Sequence, residues 1–98
     1  MSAADYGLKE NVVADIIALA QKHGLEKLVL FGSRARGAYS RASDIDLAVY
    51  GGNVNGFAAD AEETVNTLLF FDVIDMARQL TPQFLEQIQQ GVVLYEKI

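Results

Sequence analysis

The sequence predicts a small mixed α/β (α+β) fold, in which a sheet of three or four strands is covered by helices. Three observations carry that prediction. Apolar residues recur at helical spacing in two segments, short β-rich apolar runs lie between the helical stretches, and glycines with a single proline punctuate the boundaries. The predicted order is helix, strand, strand, helix, strand, helix and an apolar tail.

The first helix covers about Leu8 to Lys22, where Val12, Val13, Ile16, Ile17, Leu19 and Ala20 form an apolar stripe and Gly24 follows as a C-cap. His23 sits at its end, where a cation favours the helix dipole. Lys27-Leu28-Val29-Leu30-Phe31, bounded by Gly24 and Gly32, reads as a buried strand. Ser33 to Ser43 is polar and basic, with Arg34, Arg36 and Arg41, and reads as a loop or short helical turn. Ile45 to Tyr50 alternates as a second strand and stops at the turn Gly51-Gly52-Asn53. Phe57, Ala58, Ala61, Val65 and Leu68 predict a helix over about 55–68, and a third strand runs from Leu69 to Met76. Thr81-Pro82 has the form of an N-cap followed by proline at the first helical position. Phe84, Leu85 and Ile88 supply that helix's apolar stripe, Gly91 ends it, and Val92 to Tyr95 is a short strand or packed tail.

Composition narrows the function classes. The 98 residues make one domain, 1–98, with no room for a separate substrate domain. Absence of cysteine excludes disulfide scaffolds and thiolate metal sites, and the one histidine excludes a multi-histidine zinc site from this chain. Thirteen acidic residues against 8 basic ones, a net charge of −5, argue against direct binding of nucleic acid over a broad face. The N-terminus lacks the basic and apolar regions of a signal peptide, and no apolar run approaches the ~20 residues of a membrane span, so a cytoplasmic location is expected.

One constellation carries chemistry. Gly32-Ser33 closes the first strand, Asp44-Ile45-Asp46 opens the second, and Asp72 lies in the third. Alternate residues of a strand share a face, so Asp44 and Asp46 project together with β-carbons about 6–7 Å apart, a spacing that suits hard divalent cations. If the third strand pairs beside the second, Asp72 joins them, and three carboxylates can hold two metals roughly 3.5–4 Å apart for in-line phosphoryl displacement. Gly32 admits a close phosphate, the Ser33 hydroxyl and backbone N–H groups can hold its oxygens, and Arg34 and Arg36 can neutralise a triphosphate. The plainer alternatives are a strand-ending turn at Gly32-Ser33 and arginines that meet an acidic partner surface. Tyr39, inside the loop, is a candidate for a base or partner contact. Asp75 is also acidic, but three residues from Asp72 it faces the other way in a regular strand, and a bulge could exchange the two.

Leu30-Phe31-Gly32-Ser33-Arg34-Ala35-Arg36-Gly37, Ser43-Asp44-Ile45-Asp46-Leu47 and Phe71-Asp72-Val73 resemble the nucleotidyltransferase superfamily related to DNA polymerase beta. With the ending Gln90-Gly91-Val92-Val93-Leu94-Tyr95, the chain is similar to the minimal nucleotidyltransferases, the MNT or MntA-type antitoxins, over roughly Leu8 to Tyr95. The resemblance implies the nucleotidyltransferase fold, Mg2+ on Asp44, Asp46 and Asp72, ATP as substrate on the Gly32-Ser33 turn, and a HEPN-domain ribonuclease toxin as partner. It implies AMP transfer to a tyrosine of that partner with release of pyrophosphate, and Asp72 as the carboxylate that helps activate the attacking hydroxyl. Antitoxins acting by contact alone and enzymes modifying aminoglycosides are the alternative classes. The latter use an added C-terminal domain, which is not found here, so a partner is expected to supply the acceptor side.

Overall fold

The structure, a computed structural model, describes residues 6–40, 42–65, 67–78 and 80–97. Helix α1 (Glu10–Lys22) leads into strands β1 (Lys27–Phe31) and β2 (Ile45–Tyr50). Helix α2 (Val54–Thr64), strand β3 (Phe71–Asp75), helix α3 (Pro82–Gln89) and strand β4 (Val92–Glu96) follow. The sheet runs β3-β2-β1-β4, with β2 and β3 parallel and the other two pairings antiparallel. The predicted mixed sheet under helices is therefore present. Its apolar tail is a fourth strand, paired with β1.

Alternation along the strands divides the core in two. Leu28 and Leu30 of β1 and Ile45, Leu47 and Val49 of β2 meet Val12, Ile16 and Ala20 of α1 and Phe57 and Ala61 of α2. Val29, Phe31 and Ala48 point to the opposite face and meet Ile88 of α3, where the Phe84 ring stands edge-on to Phe31 at 5.7 Å. Complete burial of each such side chain is worth roughly 1.5–3 kcal/mol, so the sheet needs both layers.

Local chemistry sets the element ends. Thr81 accepts from the Phe84 N–H and Pro82 opens α3, and Asn53 accepts from the Gly56 N–H at the start of α2. His23 caps α1 and joins Lys22 on the Asp60 carboxylate of α2, at 2.6 and 3.0 Å. The hydrogen bonds from His23 and then Lys22 hold the Asp60 carboxyl below its ordinary range. Three boundaries differ from the sequence reading. Helix α1 starts at Glu10, and Leu8 is buried ahead of it. Strand β3 is shorter than residues 69–76. Helix α2 stops at Thr64, because Thr64, Val65 and Thr67 are β-branched, Val65 is extended, and the Thr67 hydroxyl accepts from the Leu69 N–H. Leu68, read as a helix core position, is instead fully exposed.

Among the described residues no helix is long and apolar enough to cross a membrane. Residues 1–5, on which the signal-peptide reading began, and Arg41 lie outside the described residues.

Candidate active site

Pairing brings the chemistry-bearing residues to one end of the sheet. Strand β1 ends where its antiparallel neighbour β2 begins, with Phe31 opposite Asp46. Strand β3 runs parallel to β2 and starts at the same end, with Asp46 beside Asp72. Neighbouring strands lie about 4.8 Å apart, so these two carboxylates rise side by side from one face. Asp44, two residues before Asp46, completes the acidic edge. Phe71 and Val73, on either side of Asp72, pack into the core with α1 and α2, which places Asp72 on the other face.

Gly32 continues β1 directly over this edge. Its φ of +79° is unfavourable for any residue with a β-carbon, and a β-carbon there would run into the Asp46 carboxylate. Beyond it the chain makes a tight turn. The N–H groups of Arg36, Gly37 and Ala38 donate to the carbonyls of Gly32, Arg34 and Ser33. These bonds close the turn directly after Gly32, with Ser33 as its next residue.

Electrostatics at this edge are unfavourable to the bare protein. Burial pushes the Asp46 carboxyl above its ordinary value, the charges of Asp72 and Asp44 push in the same direction, and Arg34 and Arg36 partly offset them. A half-buried carboxylate crowded by two others calls for a cation. The donor set, all carboxylate oxygen, fits magnesium or another hard divalent ion by its chemistry. As they stand, no three acidic or histidine side chains among the described residues are gathered tightly enough to close around a metal.

The structure separates residues that the sequence grouped together. Arg36 is exposed at the rim, free to meet a phosphate. Arg34 is 1% exposed, and its guanidinium donates to the carbonyls of Ser43, Tyr6 and Gly7. The expectation paired it with Arg36 as a phosphate contact; in the structure its guanidinium is buried against the chain's own carbonyls while Arg36 lies at the surface. Tyr39, expected to contact a base or partner, lies under the Arg34 guanidinium at 5.3 Å. Asp75 pairs with Val49 on the core side of the sheet, and its Oδ1 accepts from the Ala77 N–H, so regular pairing, with no bulge, separates it from Asp72. Sequence reasoning missed the exposure of Phe70, two residues before Asp72, which is 77% exposed next to Leu68. The signal for it is the unbroken run Leu68-Leu69-Phe70-Phe71, longer than one buried strand face requires.

A Gly–Ser turn overhanging carboxylates on two adjacent strands of a small mixed sheet is the frame of a nucleotidyltransferase domain. The chain belongs to the polymerase beta nucleotidyltransferase family, whose profile matches residues 14–98. No curated protein sequence matches it. Among solved structures it is similar to a chain of a toxin–antitoxin complex with AMP-PNP, with a TM-score of 0.68 and 24% identity over 87% of this chain and 73% of that one. It is also similar to a chain of a mutant MntA–HpeT toxin–antitoxin complex, with a TM-score of 0.65 and 26% identity over 92% and 74% of the two chains. A third likeness is to a chain in the complex of tri-AMPylated Shewanella oneidensis HEPN toxin with MNT antitoxin, with a TM-score of 0.62 and 21% identity over 88% and 71%.

Proposed function

We propose that this chain is a magnesium-dependent nucleotidyltransferase that moves AMP from ATP to a tyrosine hydroxyl of a HEPN-domain toxin, and so acts as its antitoxin. The observation that carries the reading is the registered pair Asp46 and Asp72 under the Gly32-Ser33 turn. Asp44, Asp46 and Asp72 are the residues that would hold magnesium, which supplies positive charge to the triphosphate and to the developing phosphoryl transition state. Gly32 lets the chain approach phosphate oxygens, the Ser33 hydroxyl donates to them, and Arg36 adds a guanidinium at the rim. The acceptor phenol attacks the α-phosphorus, one P–O bond forms as the bond to pyrophosphate breaks, and the phenolic proton passes to Asp72, the more exposed of the registered pair. The toxin–antitoxin complexes among the similar structures, one with AMP-PNP and one with an AMPylated toxin, support this choice of donor and acceptor.

The surface beside Asp72 suits a protein acceptor. Leu68 is fully exposed and Phe70 is 77% exposed at the entry to the edge strand β3. A groove of about 610 Å3, lined in part by Leu8, Val12, Leu68 and Leu69, opens beside Leu68 on the α1 side. Exposed apolar side chains of this size offer a partner a foothold within reach of the carboxylates. Phe70→Glu is expected to weaken partner binding at least about tenfold in titration calorimetry, while the melting temperature of the isolated chain stays nearly unchanged. Full-strength binding by the variant would remove this surface from the interface.

The two acidic residues of β3 give a second internal contrast. Loss of a group acting on the acceptor proton costs roughly 10²–10⁴ in rate. Asp72→Asn should lose at least about 100-fold in initial rate of AMP transfer, whereas Asp75→Asn, on the opposite face, should stay within a few-fold of the parent.

The overall test incubates this chain with a co-encoded HEPN protein and magnesium ATP and reads the intact mass of both. Added AMP on the partner, lost with Asp44→Asn and Asp46→Asn, supports the proposal. Suppression of toxin activity by the double variant with no mass change identifies neutralisation by contact alone. Labelling of an aminoglycoside in the absence of a partner identifies a small-molecule enzyme.

A further inference from the structure

Arg34 lies at the crossing of three chain segments. Its Nε and Nη2 donate to the Ser43 carbonyl at 3.1 and 2.8 Å, and its Nη1 donates to the carbonyls of Tyr6 and Gly7 at 3.0 and 3.1 Å. Ser43 is held from its own side as well. Its N–H donates to the Ser40 carbonyl, and its hydroxyl accepts from the Ser40 N–H at 2.8 Å. The Ser43 carbonyl belongs to the peptide unit that carries the Asp44 N–H, so a two-pronged grip on that oxygen fixes the plane from which Asp44 departs. On the other side, Gly7 has a φ of +69°, and a β-carbon there would overlap the Tyr39 ring and press on Arg34 Nη1. The segment Tyr6–Gly7 therefore closes over the guanidinium as a fitted cover, 28 residues away in sequence.

We propose that Arg34 is a positioning residue that sets Asp44 through the Ser43 carbonyl, and that Tyr6–Gly7 is the second half of this clamp, so the approach to α1 is part of the metal site. The inference rests on the proposed role of Asp44, Asp46 and Asp72. A guanidinium is suited to this task because its planar fork addresses one carbonyl with two N–H groups while a third nitrogen holds another segment, which an ammonium does not reproduce. Groups that orient metal ligands from behind typically change metal affinity about 10–100-fold when replaced.

The test measures Mn2+ binding by electron paramagnetic resonance, with and without a non-hydrolysable ATP analogue, on the full chain and on Arg34→Lys and Gly7→Ala. Circular dichroism and melting establish that each variant is folded. Arg34→Lys is expected to bind Mn2+ about tenfold or more weakly, with the affinity for analogue at saturating metal changed less than about threefold. Gly7→Ala, which leaves the guanidinium in place, should shift metal affinity in the same direction by a smaller factor, and it carries the test if Arg34→Lys does not fold. Unchanged metal affinity in a folded variant overturns the positioning role. Weakened analogue binding with metal affinity intact restores Arg34 as a phosphate contact and overturns it too. Failure of the parent chain to bind Mn2+ and analogue would sink the underlying reading of the site instead.

Discussion

Asp46→Asn is expected to abolish AMP transfer and, in the absence of metal, to make the folded chain more stable. The carboxyl is raised above its ordinary value by burial and by the neighbouring Asp72 and Asp44. With a folded-state value above the unfolded one, 3.8, the ionised group works against folding at neutral pH. That penalty fades as pH falls through the folded-state value and is gone below the unfolded one. Urea midpoints at about pH 7 and about pH 4 check this. The variant should exceed the parent at the higher pH, and its margin should narrow at the lower. Magnesium reverses the ranking, because a ligand held only by the native state adds about 2.7 kcal/mol at 100 times its dissociation constant, and the variant lacks a donor. The loss in transfer rate should be about 100-fold or more, read as AMP added per minute. A variant with reduced metal-free stability, or one that still transfers AMP at a parental rate, would remove Asp46 from the site.

The second large effect concerns Gly32. Alanine there must adopt a φ near +79°, and its methyl group must displace the Asp46 carboxylate. The backbone alone costs roughly 1–2 kcal/mol, and the collision adds to it, because the turn from Gly32 to Ala38 is tied by its own hydrogen bonds and has little room to retreat. Gly32→Ala should lower the denaturation midpoint measurably and leave transfer at background. Gly24→Ala, also at positive φ but with open space around the added methyl, is the control. It should show the backbone cost in stability without loss of transfer. Equal loss of transfer at the two glycines would mean that the Gly32 effect is one of folding alone.

Much of the site was legible as spacing. Asp44 and Asp46 bracket Ile45 at the start of β2, close enough for their charges to act on one another, and Gly32 at a strand end announces a backbone that other residues avoid. Strand alternation separated Asp72 from Asp75 once β3 proved regular beside β2. Arg34 shows the limit of such reasoning. In sequence it is one of three basic residues in a polar loop, equivalent to Arg36, yet one is buried and the other exposed. Leu68 shows the same limit among apolar residues, since helical spacing assigned it to the core while the end of α2 at Thr64 left it in solvent.

The sequence by itself determined the elements and their order, because these follow from local periodicity, caps and turns between residues near one another in the chain. Tertiary structure alone decided which residues work together. Strand order brought Asp72 beside Asp46, pairing to β1 turned the apolar tail into β4, and Tyr6–Gly7 closing over Arg34 made a surface cation into a buried clamp. The physical reason is that burial and hydrogen bonding of a side chain depend on which distant segments come to rest against it, and no local pattern records that.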